Sequence, residues 1–183
     1  MFAMLNTLNK TEQDGTNLPV IKGSFEALAQ GHQFLEHLSD EQYTYVALPH
    51  VASSVGQHYR HWLDIFHAIK SANKVIDYNQ RRRGHGVESS RQMAMSEISE
   101  LVTWLSAKTE LELKRRVSVV TEVCVTQTEA CTMTSTLERE LTFASLHANH
   151  HFAMAKVVCS LLGVETDAAF GFAPATMTYI RGQ

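Results

Sequence analysis

The clearest pattern in the chain is a run of apolar positions that recur every three or four residues between Val51 and Ile76. This spacing places the apolar side chains on one face of an α-helix. Ser53 and Ser54 can cap the first turn, and the glycines near residue 85 end the pattern. We predict a long amphipathic helix whose apolar face consists of Val51, Val55, His58, Trp62, Ile65, Ile69, Ala72 and Ile76.

A second regular pattern extends from about Thr136 to Leu162, and Gly163 closes it. Weaker helical patterns cover residues 24–38, with Ser24 as the N-cap, and residues 89–107. No proline interrupts residues 53–171, so long helices are free to form there. Four helical segments with short links predict an all-α fold, a four-helix bundle. The apolar face of the last helix is predicted to consist of Leu137, Leu141, Ala144, Ala148, His151, Ala155, Val158 and Leu162.

The segment between the third and fourth helices has a different texture. Residues 113–135 are rich in valine and threonine, which favours strands, so we predict a small β-hairpin there. Residues 1–22 are predicted to be a flexible polar lead-in, and residues 23–183 a single domain. The apolar segment 170–176 is predicted to be irregular and to pack back onto the bundle.

Composition excludes several classes of protein. The chain has 183 residues, 44% of them hydrophobic, and a net charge of -3, which argues against nucleic-acid binding because such proteins need excess positive charge. No apolar run approaches the roughly 20 residues of a membrane span, and the first residues do not resemble a signal peptide. Three cysteines without a C-x-x-C spacing are assigned to packing and favour a reducing, cytoplasmic location.

Histidine is the unusual residue type. The chain has 10, and six of them fall into two groups, His58, His61 and His67 on the second helix and His147, His150 and His151 on the fourth. His147 and His151 lie about 40° apart on the helix surface, and His150 lies roughly 60° beyond His147. An H-x-x-x-H pair facing a bundle interior can share a metal ion. On the second helix, His58 lies on the apolar face and His61 about 60° from it.

Two interpretations of these histidines stay open. Three neutral imidazoles with free coordination positions are typical of a catalytic metal site, and imidazole suits zinc, nickel, copper and iron. Alternatively, the histidines form a hydrogen-bonded polar core without a metal. The arginine run 81–83 is either a solvated loop or the mouth of the site, where arginines can bind a carboxylate or phosphate.

Four blocks of the sequence resemble the DinB/YfiT-like superfamily. The blocks are Ser54–His61, Arg139–His151 with its H-x-x-x-H motif and, in one bacterial branch, Asp77–Arg83 and Phe170–Pro174. The resemblance covers residues 24–180. It implies a four-helix bundle, often dimeric, in which one histidine of the second helix and two of the fourth bind a metal. Related proteins include transferases and isomerases that use low-molecular-weight thiols, and the iron-binding part of sulfoxide synthases.

The resemblance also implies roles for individual residues. Spacing from the Ser-x-Gly element assigns the second-helix ligand to His61, whereas the apolar pattern favours His58, and we keep both with His61 first. Asn79 and Gly84 stand where this branch is expected to have acidic residues, so we expect chemistry that depends on those carboxylates to be lost or altered. We expect a divalent metal, zinc, nickel or iron, on His61, His147 and His151 with His58 as a further ligand or supporting donor, and a substrate held by Tyr78, Arg81 and Arg83.

These expectations lead to two functional hypotheses. The first is a cytoplasmic homodimer that acts as a metal-dependent transferase or hydrolase on a small molecule, with or without a thiol cofactor. The second is a non-catalytic module, a stress-related or metal-sequestering dimer. Neither hypothesis involves nucleic acid or a membrane.

Overall fold

The computed structural model describes residues 17–183, and within this range it has the predicted four-helix bundle. Three short α-helices, a 3-10 helix (Gly86–Glu88) and a small sheet accompany the bundle. The long helices are α1 (Pro19–Glu36), α3 (Val55–Ser71), α4 (Arg91–Ser106) and α6 (Leu137–Leu161), and the short ones are α2 (Asp40–Thr44), α5 (Glu110–Leu113) and α7 (Pro174–Arg181). In the described part of the chain, no helix combines the length and the hydropathy that a bilayer span requires.

The first helix begins five residues earlier than the pattern predicted. Pro19 occupies its first turn, where the missing N–H costs nothing because the first N–H groups of a helix have no partner inside it. Ser24 is therefore not the N-cap. It is buried inside α1, and its hydroxyl donates to the carbonyl of Val20 at 2.9 Å. Residues 1–16 of the predicted lead-in lie outside the described residues, and residues 19–22, also predicted to be part of it, belong to α1.

The Ser54 cap of α3 follows the prediction, but Val51, the first position of the predicted apolar face, lies before the helix, and the end of the helix also differs. The Ser54 hydroxyl accepts from the Gln57 amide at 3.2 Å, and the Gln57 side chain accepts from the Ser54 amide at 2.9 Å. This reciprocal pair is a capping box, which satisfies two otherwise free N–H groups. The helix ends at Ser71, so Ile76, the last position of the predicted apolar face, belongs to a strand instead.

The sheet contains the predicted hairpin and one additional strand. Strands β2 (Arg116–Glu122) and β3 (Ala130–Thr136) are antiparallel, and β1 (Val75–Asp77) pairs with β2 in parallel. Three residues are too few to show the alternation by which strands are recognised in a sequence. Pairing of Ile76 with Val119 places the arginine run 81–83 directly after the sheet.

Aromatic side chains hold α3 against α6. The ring centroids of Trp62 and Phe152 are 5.6 Å apart, and those of Tyr59 and Phe152 are 6.0 Å apart. Phe170 stacks on Phe34 at 4.1 Å and on Phe152 at 5.1 Å, so the start of the C-terminal segment packs onto the bundle. The segment then forms α7 rather than remaining irregular. The α3–α6 contact brings the two histidine groups together.

Candidate metal centre

Three histidines from two helices converge at the α3–α6 interface. The Nε2 atom of His147 lies 3.1 Å from Nε2 of His61 and 3.0 Å from Nε2 of His151. One ring nitrogen from each residue lies within 4.8 Å of the other two. His151 is buried, and His61 and His147 are half-buried. We call these three residues the histidine triad.

The number of N–H groups and lone pairs in the triad fits a bound cation better than a hydrogen-bonded core. In a neutral imidazole one nitrogen carries an N–H and the other a lone pair. Nε2 of His147 therefore has either a proton or a lone pair, but it faces two other nitrogens. The two contacts therefore compete for the same atom. An ion accepts all three lone pairs at once. Nitrogens bound to tetrahedral zinc at about 2.0–2.1 Å lie roughly 3.3 Å apart, which is close to the separations here.

The fourth histidine lies beside the triad. Nδ1 of His58 is 3.0 Å from Nδ1 of His151, and the other ring nitrogen of His58, Nε2, is buried without a hydrogen-bond partner. If Nε2 of His151 holds a metal, its Nδ1 carries the proton and donates to Nδ1 of His58. That pairing fixes the ring of His151, which is the usual function of a residue behind a metal ligand.

The surroundings keep these imidazoles neutral. Burial, followed by the charge of Arg81 and the proximity of His147, lowers the pKa of His61 to about 3. Burial, followed by interaction with His61 and His147, lowers the pKa of His151 to about 2. The pKa values of His58 and His147 are also lowered, mainly by burial. Neutral rings offer lone pairs to a metal without first losing a proton.

His150 lies next to the triad but is exposed. Its ring centroid is 6.1 Å from that of His147 and 5.3 Å from that of His151. It does not belong to the group of nitrogens that could share one ion. This placement agrees with the helical geometry, which directs His150 to a different side of α6 from His147 and His151.

The three predicted substrate-binding residues have different surroundings. Arg81 reaches the triad, because its Nη1 donates to Nδ1 of His61 and lies 3.4 Å from Nε2 of the same ring. The Tyr78 hydroxyl donates to the buried Glu140 carboxylate at 2.6 Å. The ring of Tyr78 contacts Phe143, which in turn contacts His147. Arg83 is exposed. Arg81 is therefore the one of the three that the structure brings to the triad.

A buried ionic network behind the triad was missed at the level of sequence. Arg82 donates to Asp64 at 2.6 Å through Nε and to Glu97 at 2.8 and 2.9 Å through its two terminal nitrogens. Arg60 donates to Asp64 at 3.0 Å and to Glu88 at 2.8 Å. The i,i+4 spacing of Arg60 and Asp64 was the available signal. The partners from α4 and the loop could not be found without the fold.

By sequence, the chain is similar to part of a longer known protein. No family model matches the chain. FK506-binding protein 5 of Rhizopus delemar is 28% identical over 109 residues, and the match covers 60% of this chain and 28% of the relative's own length. The chain thus spans little more than a quarter of that protein.

A solved structure matches over most of the chain. It is YfiT from Bacillus subtilis, a probable metal-dependent hydrolase with an unusual four-helix bundle topology. The TM-score is 0.54 with 17% identity, and the match covers 86% of this chain and 93% of YfiT. The chain therefore has the four-helix-bundle fold of YfiT, the fold that its resemblance to the DinB/YfiT-like superfamily implies.

Proposed function

We propose that the chain is a metal-dependent hydrolase or transferase of the DinB/YfiT-like superfamily that acts on a small molecule. The observation that carries the proposal is the convergence of three imidazole nitrogens, from His61, His147 and His151, at the α3–α6 interface. The shared fold with YfiT, a probable metal-dependent hydrolase, supports it. Three histidines leave coordination positions free for water or substrate, as in catalytic zinc sites.

The residues around the triad have separate functions in this proposal. His61, His147 and His151 hold a divalent metal such as zinc, nickel or iron, and His58 orients His151 through its Nδ1. A metal with open positions polarises a bound water, thiol or carbonyl. Arg81, next to His61, binds an anionic group of the substrate. A low-molecular-weight thiol is one such substrate, since the superfamily resemblance implies thiol-dependent relatives.

Metal binding is tested on protein purified without a histidine tag. The protein is stripped with a chelator, reloaded separately with zinc, nickel and iron, and analysed for bound metal by mass spectrometry. We expect one ion per chain in the wild type and none in the His61→Ala/His147→Ala double variant. Hydrolysis of ester and amide substrates and transfer to small thiols are then assayed. A chain that retains no metal under these conditions would refute the proposal.

A non-catalytic, metal-sequestering module is the second candidate. It is favoured by the position of the described cavities, of about 270 to 590 Å³, which are lined by residues other than the triad. Stoichiometric metal binding without turnover on either substrate class would support this candidate. In both cases we propose a cytoplasmic homodimer, and analytical ultracentrifugation of the metal-loaded chain tests the dimer.

A further inference from the structure

The contact between Arg81 and His61 fixes the position of one proton. All nitrogens of a guanidinium are donors, so the ring nitrogen of His61 that is nearer to Nη1 of Arg81 must accept. That nitrogen is Nδ1, since Nε2 lies farther away, at 3.4 Å. A neutral His61 then carries its proton on Nε2. Nε2 is the atom that lies 3.1 Å from His147 and faces the centre of the triad.

This arrangement is incompatible with a metal on His61. Ligation through Nε2 needs a lone pair there, so the proton has to move to Nδ1, where it would face an N–H of Arg81. Ligation through Nδ1 is blocked because Arg81 occupies that side of the ring. A divalent cation close to the guanidinium adds electrostatic repulsion. The Arg81–His61 contact and a bound ion therefore exclude each other.

Arg81 also has an unused capacity to bind an anion. Among the described residues, the ion pairs include Arg60, Arg82 and Arg91 but not Arg81. Its side chain is half-buried and interacts with Asp64 and Glu122 only at a distance, and a partly desolvated guanidinium without a carboxylate in direct contact favours a bidentate oxyanion. The backbone at the next residue is fixed, because the Arg82 amide donates to Asp64 at 3.1 Å. Because the backbone beside Arg81 is held in place, release of His61 requires rotation of the Arg81 side chain.

We propose that Arg81 is a gate on the metal centre. In the metal-free chain its guanidinium caps His61 and competes with the ion, and in the loaded chain it turns away and binds a carboxylate or phosphate group of the substrate. This inference rests on the proposed function, since it assumes a metal on the triad. It differs from a simple anchoring function because it requires Arg81 to oppose metal binding.

The first test compares zinc affinities by calorimetry for wild type, Arg81→Ala, Arg81→Lys and Arg116→Ala. Loss of a competing charge-assisted hydrogen bond is expected to tighten zinc binding by Arg81→Ala about 10–100-fold. Arg81→Lys, which keeps the charge but loses the planar donor, is expected to be intermediate. Arg116→Ala removes the same charge from an exposed position on β2 and serves as the matched control, with unchanged affinity.

The second test reads the proton directly. Nitrogen-15 NMR of the histidine side chains is expected to show His61 protonated on Nε2 in the metal-free wild type and on Nδ1 in the zinc-loaded protein. In metal-free Arg81→Ala, this preference for Nε2 is expected to weaken.

The third test titrates acetate and methyl phosphate into cobalt-loaded protein, and visible absorption measures their binding. Arg81→Ala is expected to weaken binding of both anions, whereas Arg116→Ala leaves it unchanged.

The outcomes separate the gate from the proposed function. If wild type binds zinc and Arg81→Ala binds it equally or more weakly, the gate is refuted while the metal site stands. A metal-free His61 protonated on Nδ1 would also refute the gate. If neither protein binds zinc, the proposed function is wrong and the gate with it. Zinc binding that is about 10–100-fold tighter in Arg81→Ala than in wild type would support the gate.

Discussion

At the scale of single residues, the site depends on which ring nitrogen each histidine directs at its neighbour. His151 uses both of its nitrogens, Nε2 toward His147 at 3.0 Å and Nδ1 toward His58 at 3.0 Å. A ligand that is oriented from behind in this way keeps one tautomer and one ring position. His58 and His151 therefore act as a pair. His147 differs from His151, because it directs a single nitrogen, Nε2, at both of its neighbours.

The triad predicts unequal effects for the three histidines of α6. His147→Ala and His151→Ala should each weaken zinc affinity by more than the roughly 10–100-fold that is typical of losing a supporting residue. His150→Ala should leave it nearly unchanged, since His150 is exposed and outside the convergent group. Titration calorimetry measures all three, and circular dichroism checks their folding. Equal losses for the three variants would contradict the geometry of the triad.

The two α3 histidines should also differ. His61→Ala is expected to abolish site occupancy, because it removes a direct ligand. His58→Leu should weaken zinc binding by about 10–100-fold, and His58→Asn should recover part of that loss, because its side-chain oxygen can accept from His151 near the position of Nδ1. Zinc affinity of the three variants is the measurement. A site that stays full in His61→Ala but empties in His58→Leu would show that the apolar pattern, not the family spacing, identifies the ligand.

The sequence predicts which histidines form the site but not which ring nitrogen of each one faces its neighbours. Helical periodicity was sufficient to direct His147 and His151 to one side of α6 and His150 to another. It could not choose between His58 and His61, because they lie about one turn apart and both approach the same interface. The relative translation of α3 and α6, which the packing of Trp62 on Phe152 determines, decides which nitrogen meets which.

At the scale of elements, Asp64 joins three parts of the chain. It lies on α3, accepts from Arg60 of the same helix, and accepts from the backbone and side chain of Arg82 in the loop after β1. Arg82 extends the network to Glu97 on α4. Asp64 is only 4% exposed, so these donors replace the water molecules that would otherwise hydrogen-bond to its carboxylate. The network holds the loop that carries Arg81 against the triad.

Removing that charge should destabilise the fold. Asp64→Asn leaves Arg60 and Arg82 with one carboxylate fewer inside the protein, and breaking such a buried pair costs up to about 3–5 kcal/mol. The free energy of unfolding in urea is the measurement. Glu110→Gln is the control, because it breaks the exposed pair with Lys114 and exposed pairs contribute little. An Asp64→Asn chain as stable as the wild type would mean that the network does not hold the loop against the bundle.

The elements that the sequence missed share a physical reason. Strand β1 is short, and Ile76 satisfies the helical pattern as well as it satisfies a strand, so only pairing with β2 distinguishes the two. The early start of α1 depends on Pro19, which suits a first helical turn as well as a turn outside it. The four long helices were predicted because each has enough turns for its periodicity to be evident.

At the scale of the whole molecule, the bundle isolates polar rings within an apolar interface. The triad lies next to a core that includes Trp62 and Phe152, so burial is the largest cause of the lowered pKa of both His61 and His151. A metal that binds only the folded chain stabilises it according to the ratio of its concentration to Kd. Because the ligands come from α3 and α6, the ion would link the two helices on which the aromatic core is centred.

The same burial predicts a pH dependence for the stability of the metal-free chain. The pKa of His61 falls to about 3 and that of His151 to about 2 in the fold, whereas both are about 6.5 in an unfolded chain. Below pH 6.5 the unfolded chain binds protons that the folded chain refuses, so the free energy of unfolding falls as pH falls. The contribution is complete above pH 6.5 and is lost progressively toward the lowered pKa values.

The window from pH 7.5 to 5.5 isolates the histidines from the carboxylates. Glu97, for example, has a pKa of about 2, since hydrogen bonds from His67 and Arg82 outweigh the effect of burial, so its contribution is lost only below about pH 4.5. In the presence of a chelator, the Tm of the wild type should decrease between pH 7.5 and pH 5.5. This decrease should be smaller in His61→Ala than in the wild type. In His50→Ala, which removes an exposed histidine, it should be as large as in the wild type. Equal slopes for all three chains would show that the triad is not what makes the fold sensitive to acid.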